Sequence, residues 1–280
     1  MTPTEDRSGD AHPRPRAGEH DQNGRFAGRR VLVTGASRGI GAALAVEIAR
    51  QGADVAITAR TAEAHPTLPG SLRETAEAIE AHGRTAVAVV ADLTDEADRL
   101  RIVPEAEAGL GGPIDVLVNN AAAAIYQPLA EYPLKRRRLL FEVNVHAPLD
   151  LAQAVLPAML ERGEGWILNL SSGSARPRPG PPFEETAMGS TLGVYGATKA
   201  ALNRMTSALA EEVWGSGVRV NTVEPRAAVH SEGADAHLGD ALDPAMYESM
   251  ADMVAGALVL CDCPPEVTGG IHVSLDLLGR

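Results

Sequence analysis

Aromatic residues make up only 3% of this chain, cysteine occurs twice, and no apolar run approaches the length of a membrane span. Each shortage closes a route. A spanning helix needs about 20 consecutive apolar residues. Cys261 and Cys263 stand as a Cys-x-Cys pair before Pro264 and Pro265, without a histidine or cysteine partner at metal-site spacing. They read as two reduced thiols of a cytoplasmic protein. The eight histidines are scattered, so no metal site is expected. Positive charge is short as well, the formal net charge being -12. That balance argues against nonspecific binding to nucleic acid or to an anionic membrane. The one dense basic run, Lys135-Arg136-Arg137-Arg138, reads as a solvated helix face.

What is present is a chain of 280 residues, 45% of them hydrophobic. This suffices for one α/β domain with a substantial core. Residues 1–27 are rich in Pro, Arg, Asp, Glu and Gly and lack an apolar segment. They read as a disordered tail rather than a secretory signal, and the domain is expected over residues 28–280.

The domain opens on a strand-turn-helix signal. Arg30-Val31-Leu32-Val33 is a β-branched apolar run, and Ile40 to Ala49 carries apolar residues at helical spacing. Between them lies Thr34-Gly35-Ala36-Ser37-Arg38-Gly39-Ile40-Gly41. Glycines at such a turn let a phosphate approach the helix start, where free N–H groups and a partial positive charge await it. The spacing Gly-x-x-x-Gly-x-Gly is neither Gly-x-Gly-x-x-Gly nor a Walker A loop.

A second strand, Asp54 to Ala59, ends at Arg60. An acid at this point would bond the ribose 2′-hydroxyl of NAD, whereas an arginine accommodates the 2′-phosphate of NADP. Arg60 and Arg38 therefore favour NADP(H) over NAD(H). A guanidinium presents a planar fork of donors suited to phosphate.

The alternation continues. Helices are expected near Ser71–Ala81, Glu96–Ala108, Leu134–Leu160, Tyr195–Trp214 and Pro244–Leu260. Strands are expected at Ala86–Val90, Ile114–Val118, Trp166–Leu170, Val218–Val223 and Gly270–Leu275. The pattern predicts a Rossmann-like doubly wound α/β fold, with a parallel sheet of about seven strands covered on both faces. Ligands then bind beyond the carboxyl ends of the strands. At those ends stand Asp92-Leu93, Asn119-Asn120-Ala121, Ser171-Ser172-Gly173 and Glu224-Pro225-Arg226. A carboxylate at Asp92 can bond an adenine amino group.

Tyr195 and Lys199 lie four residues apart and share a helix face. An ammonium beside a phenol favours its ionised form, so the phenol's pKa is expected to fall from about 10. Such a tyrosine can exchange a proton with a carbonyl or alcohol oxygen.

In this order the motifs resemble those of the short-chain dehydrogenase/reductase family, in its compact single-domain form, from about Arg29 to Thr268. They are Thr34-Gly35-x-x-x-Gly39-x-Gly41, Asn119-Asn120-Ala121, Asn144, Ser172, Tyr195-x-x-x-Lys199 and Asn221. The resemblance implies an oxidoreductase interconverting a ketone or aldehyde and an alcohol. Tyr195 is then the general acid or base, and Lys199 lowers its pKa and bonds the nicotinamide ribose. Ser172 bonds the substrate oxygen, with Ser171 and Ser174 as competing candidates. Asn144 disturbs its helix and holds a water linking Lys199 to solvent. Gly35, Ser37, Arg38, Gly39, Ile40, Arg60, Asp92, Leu93, Asn120 and Ala228 line the cofactor beside Tyr195 and Lys199. A homo-oligomer, dimer or tetramer, is expected by the same analogy. A noncatalytic nucleotide-binding protein, and an epimerase or dehydratase with retained cofactor, are the alternatives.

The chain also departs from the family pattern. A Pro- and Gly-rich segment, Gly173 to Glu185, separates Ser172 from Tyr195 and reads as a loop over the substrate side or as a surface elaboration. Arg226 replaces a usual glycine and is expected to contact substrate. The usual Asp-Gly-Gly near the C-terminus is missing, which puts the C-terminal contacts in question. Val229 to Met250 is expected to form the substrate lid.

Overall fold

The computed structural model describes residues 24–63, 69–183, 189–226, 228–229 and 247–280. Seven strands form one sheet: β1 (Arg30–Thr34), β2 (Asp54–Ala59), β3 (Ala86–Val90), β4 (Val116–Asn119), β5 (Gly165–Leu170), β6 (Val218–Glu224) and β9 (Ile271–Val273). Their order is β3-β2-β1-β4-β5-β6-β9, every pairing parallel. The expected doubly wound sheet is thus present. A parallel sheet covered on both faces needs strands apolar on both sides. Within β1, Val31 and Val33 pack on one face with Leu44 and Ile48, while Leu32 packs on the other with Ile102 and Leu151.

The helices that cover the first face are α1 (Gly39–Arg50), α2 (Leu72–Glu80) and α7 (Met250–Leu260). The second face is covered by α3 (Glu96–Leu110), α5 (Ala147–Arg162) and α6 (Gly193–Glu212), with α4 (Leu134–Phe141) leading into α5. Local signals set the helix ends. Ser71 accepts from Glu74 N at 3.1 Å to open α2, and Ser249 accepts from Asp252 N at 3.0 Å to open α7. Lys135, Arg136, Arg137 and Arg138 lie exposed on α4. No helix among the described residues is long and apolar enough to cross a membrane.

Four details go beyond the plain succession of strands and helices read from the sequence. The long helix through residues 134–160 is interrupted by a π-helical segment, Glu142–His146. The helix expected from Pro244 begins only at Met250, behind a two-residue strand β8 (Tyr247–Glu248) that pairs in parallel with β7 (Ala228–Val229). Residues 244–246 lie outside the described residues. The last strand stops at Val273 because Ser274 enters a short helix, α8 (Ser274–Leu277). Ser274 is fully buried, packs on Gly256 of α7 and donates to Glu248 Oε1 at 2.6 Å.

The fourth detail lies at the front of the domain. Phe26 is 0% exposed and joins the core cluster of α1 and α7. Its backbone N–H bonds the carbonyl of Gln51 at 2.8 Å, and the guanidinium groups of Arg25 and Arg29 sit over its ring. Arg25 and Arg29 both pair with Asp262. The neighbouring Cys261 and Cys263 are free and buried, and burial pushes their thiols up to about 12 and about 11. Ordered structure therefore reaches ahead of residue 28. Phe26→Ala is expected to lower unfolding stability by about 3–5 kcal/mol in chemical denaturation. A midpoint equal to the parent's would show that this aromatic ring carries no core contact.

Candidate active site

The glycine turn sits at the carboxyl end of β1, where the strand order reverses between β2 and β4. This is the crevice in which open α/β sheets bind ligands. Gly35 has φ 67° and Gly39 φ 58°, a region that penalises side chains. A Cβ on Gly41 would strike the Asn120 amide and the Gly35 carbonyl, and one on Gly35 would strike Ala121. Asn120 locks the turn from β4: its Nδ2 donates to Thr34 O at 2.8 Å and to Gly35 O at 3.1 Å. Thr34 Oγ1 in return accepts from the N–H groups of Asn120 at 3.1 Å and Ala121 at 3.0 Å. Helix α1 starts behind Arg38 with no side-chain cap and no acid in its first turn. Its first N–H groups and positive dipole end are thus left without a side-chain cap or a competing carboxylate, which fits a pyrophosphate.

The two arginines take different positions. Arg38 donates from Nε to Pro69 O at 3.0 Å and from Nη2 to Gly70 O at 3.3 Å, drawing the loop after β2 over the turn. Arg60 is exposed at the end of β2. Asp92 Oδ1 accepts from the backbone and hydroxyl of Thr94, at 2.9 and 2.8 Å, so part of this carboxylate is engaged in its own turn. Leu93 is buried, and its carbonyl accepts from Arg99 Nη1 at 2.9 Å. Ala228 is buried in β7.

Asn144 falls in the π-helical segment and is fully buried. Its Oδ1 accepts from Ala123 N at 2.8 Å, and its Nδ2 donates to Ala123 O at 2.8 Å and Thr198 Oγ1 at 3.0 Å. One side chain thereby joins the loop after β4 to α6. The π register at Asn144 supplies the disturbance expected of its helix. A buried cation anchors the same segment, since Arg99 Nη1 reaches Glu142 at 3.1 Å and Arg99 Nε reaches Asp150 at 2.6 Å.

Tyr195 and Lys199 share one face of α6, and the Lys199 ammonium lies 5.9 Å from the Tyr195 ring centroid. Lys199 Nζ donates to Leu170 O at 2.7 Å, at the end of β5. Burial lowers its pKa to about 8. Tyr195 contradicts the expectation that the ammonium depresses its phenol: burial and the nearby Tyr126 phenol raise its pKa, and the hydrogen bond from Ser172 only opposes them. The physical reason is desolvation, which favours the neutral form of acid and base alike. Tyr126, on the loop after β4, meets Tyr195 edge-on with ring centroids 5.9 Å apart. Sequence reading passed over this residue, because a lone tyrosine in a loop carries no spacing signal.

Of the three serines, Ser172 is the one that acts on Tyr195, opposing the rise of its pKa. Ser172 Oγ also accepts from Ser174 N at 3.2 Å and Ser174 Oγ at 3.0 Å. Ser171 Oγ is buried and has no hydrogen-bond partner among the described residues. Arg226, expected to contact substrate, instead donates from Nη2 to Asp276 Oδ1 and Arg280 O, each at 2.6 Å. The Asp276 carboxylate thus holds this cation in a charge-assisted pair at the surface. Asn221 bonds Val267 O at 2.8 Å and Gly270 N at 3.2 Å, tying β6 to the C-terminal segment. The expected lid lies mostly in residues 230–246, outside the described residues, as do residues 184–188 of the loop before α6.

Comparison with known proteins agrees with this geometry. A family model described as short chain dehydrogenase matches residues 29–235. Hydroxysteroid dehydrogenase-like protein 2 of Xenopus tropicalis is 34% identical over 257 residues, covering 91% of this chain and 58% of that protein. The chain thus spans about three-fifths of the curated relatives' length. A gluconate 5-dehydrogenase candidate from Beutenbergia cavernae, solved with bound NADP, superposes with TM-score 0.76 at 32% identity, over 91% of this chain and 98% of that one. A short chain dehydrogenase from Burkholderia cenocepacia, in complex with NADP, gives 0.74 at 31% identity, over 89% and 97%. The sheet order thus matches the scaffold of these relatives, and the chain belongs to the short-chain dehydrogenase/reductase family.

Proposed function

We propose that the protein is an NADP(H)-dependent oxidoreductase that interconverts a ketone or aldehyde and an alcohol, with Tyr195 as the proton-transfer group. The observation that carries this reading is the convergence on α6 of a half-buried Tyr195, whose pKa is raised by burial against the opposing effect of Ser172, with Lys199 one helical turn away and its ammonium 5.9 Å from the Tyr195 ring centroid. The nicotinamide, when bound, supplies or accepts the hydride. The chain's own residues orient the substrate and move the proton. In reduction, Ser172 bonds the carbonyl oxygen and Tyr195 gives it a proton. The raised pKa keeps Tyr195 protonated, which is the state that reduction requires. Lys199 stands ready to return a proton, since its own pKa of about 8 lies close to neutral pH. Asn144 fixes the Ala123 backbone and Thr198 around the pair.

The uncapped start of α1 and the glycine cradle would hold the pyrophosphate. Arg60 and Arg38, with no acid at the end of β2, favour a 2′-phosphate. The NADP found in two solved relatives supports the same choice.

Tyr195→Phe is expected to reduce turnover of cyclohexanone, benzaldehyde or ethyl acetoacetate by about 100-fold or more, with NADPH affinity retained. The decrease in NADPH absorbance reads the rate, and calorimetry reads the affinity. A Phe variant as fast as the parent would remove Tyr195 from the chemistry. Tight NADPH binding with no turnover of any carbonyl by the parent would favour a noncatalytic role.

Replacing both arginines, Arg38→Ala with Arg60→Ala, is expected to weaken NADPH binding on the order of tenfold per lost charge-assisted contact. NADH binding should change far less. Equal losses for the two nucleotides would reverse the cofactor assignment.

A further inference from the structure

Glu224 ends β6 in an unusual state for a carboxylate: it is 0% exposed, and it stands where β6 leaves the sheet beside the catalytic serine turn. The register pairs Leu170 with Val223, and Ser171 N donates to Val223 O at 2.8 Å. Glu224 and the start of the Ser171-Ser172 turn therefore lie side by side. Along β6, Val220 packs on the face covered by α3, α5 and α6, and Val223 on the opposite face. Strand alternation puts Glu224 on the face of α6, the helix that bears Tyr195 and Lys199.

The only cation given to this carboxylate among the described residues comes from the serine turn itself. That turn runs through the 3-10 segment Gly173–Ala175 and closes at Arg176. Arg176 Nη1 stands 2.5 Å from Glu224 Oε1, an ion-pair approach without hydrogen-bond alignment. The Arg176 side chain is 60% exposed, and its guanidinium passes close to Gly173. On the other side the turn rests against α6, where a Cβ on Gly196 would strike the Ser174 carbonyl. A buried charge is costly unless paired, so this carboxylate strongly favours the turn conformation that brings Arg176 over it.

We propose that Glu224 and Arg176 form a positioning pair that clamps the serine turn to β6 and so holds Ser172 in place beside α6 and Tyr195. Burial raises the Glu224 pKa and Arg176 lowers it, in keeping with a carboxylate whose charge rests on one partner. Neither residue touches the reacting atoms; both act through Ser172. The proposal rests on the Tyr195 reading above.

The test compares Glu224→Gln, Arg176→Met, Arg176→Lys and the double variant Glu224→Gln with Arg176→Met. Losing Arg176 alone leaves the buried Glu224 charge uncompensated, whereas the double variant leaves no buried charge. The double variant is therefore expected to unfold near the parental midpoint. Its kcat for reduction of the same carbonyl probes should nevertheless fall on the order of tenfold, because sub-ångström misplacement of a catalytic contact is enough for such a loss. The KM for NADPH should hold. Arg176→Met should behave alike, and Arg176→Lys should recover part of the rate by restoring the charge. A crystal structure of the double variant should show Ser172 Oγ displaced from the Tyr195 phenol.

Parental kcat in a well-folded double variant overturns the proposal. So does a Ser172–Tyr195 contact unmoved in that crystal structure, whichever substrate is in hand. If Tyr195→Phe is inactive while the double variant is not, only the positioning role falls and the assigned chemistry stands.

Discussion

The exchange of hydrogen bonds between Thr34 and Asn120 is the constraint on which the rest of the site depends. A parallel sheet whose order reverses between two strands leaves a gap there, and the gap needs to stay open for a ligand. In this chain the ends of β1 and β4 are stitched across that gap by a hydroxyl that accepts twice and an amide that donates twice. The glycine turn is thereby fixed by the Asn120 amide, which uses the space that the missing side chain of Gly41 leaves open. Substitution at Gly35 or Gly41 would push Ala121 or Asn120 away and unpick the same stitches. Pocket shape and sheet integrity are thus one property at this point.

The second face of the sheet carries the chemistry through a chain of fixed contacts. Arg99 anchors the entry to the π-helical segment, Asn144 links that segment to the loop after β4, and Thr198 passes the link to α6. Tyr195 and Lys199 are then held on a helix whose supports come from three separate stretches of chain. Burial shifts the lysine down to about 8 and the tyrosine up. Both groups are drawn toward their neutral forms, because burial penalises the charged state of acid and base alike.

The sheet, its order of elements and the glycine turn were legible in the sequence because each rests on local rules. Alternating apolar runs mark strands, Ser71 marks a helix start, and glycines mark the turn. The grouping of Asn144, Ser172, Tyr195 and Lys199 was legible through the family resemblance. What sequence could not give was the balance of fields around Tyr195, since burial depends on the packed fold and not on a four-residue spacing. The β7–β8 pair escaped because two residues are too few to show alternation. Arg226 misled because its acceptors, Asp276 and Arg280, lie 50 or more positions away. Glu224 escaped for the same reason: its partner sits 48 positions earlier, and a charged residue ending a strand reads as turn chemistry.

The tie from Arg226 to the last carbonyl of Arg280 also has a mechanical side. Arg226 follows β6 almost directly, so one guanidinium couples the run-out of the central sheet to residues 276–280, and a change of charge at Asp276 would be transmitted to the segment that leaves β6.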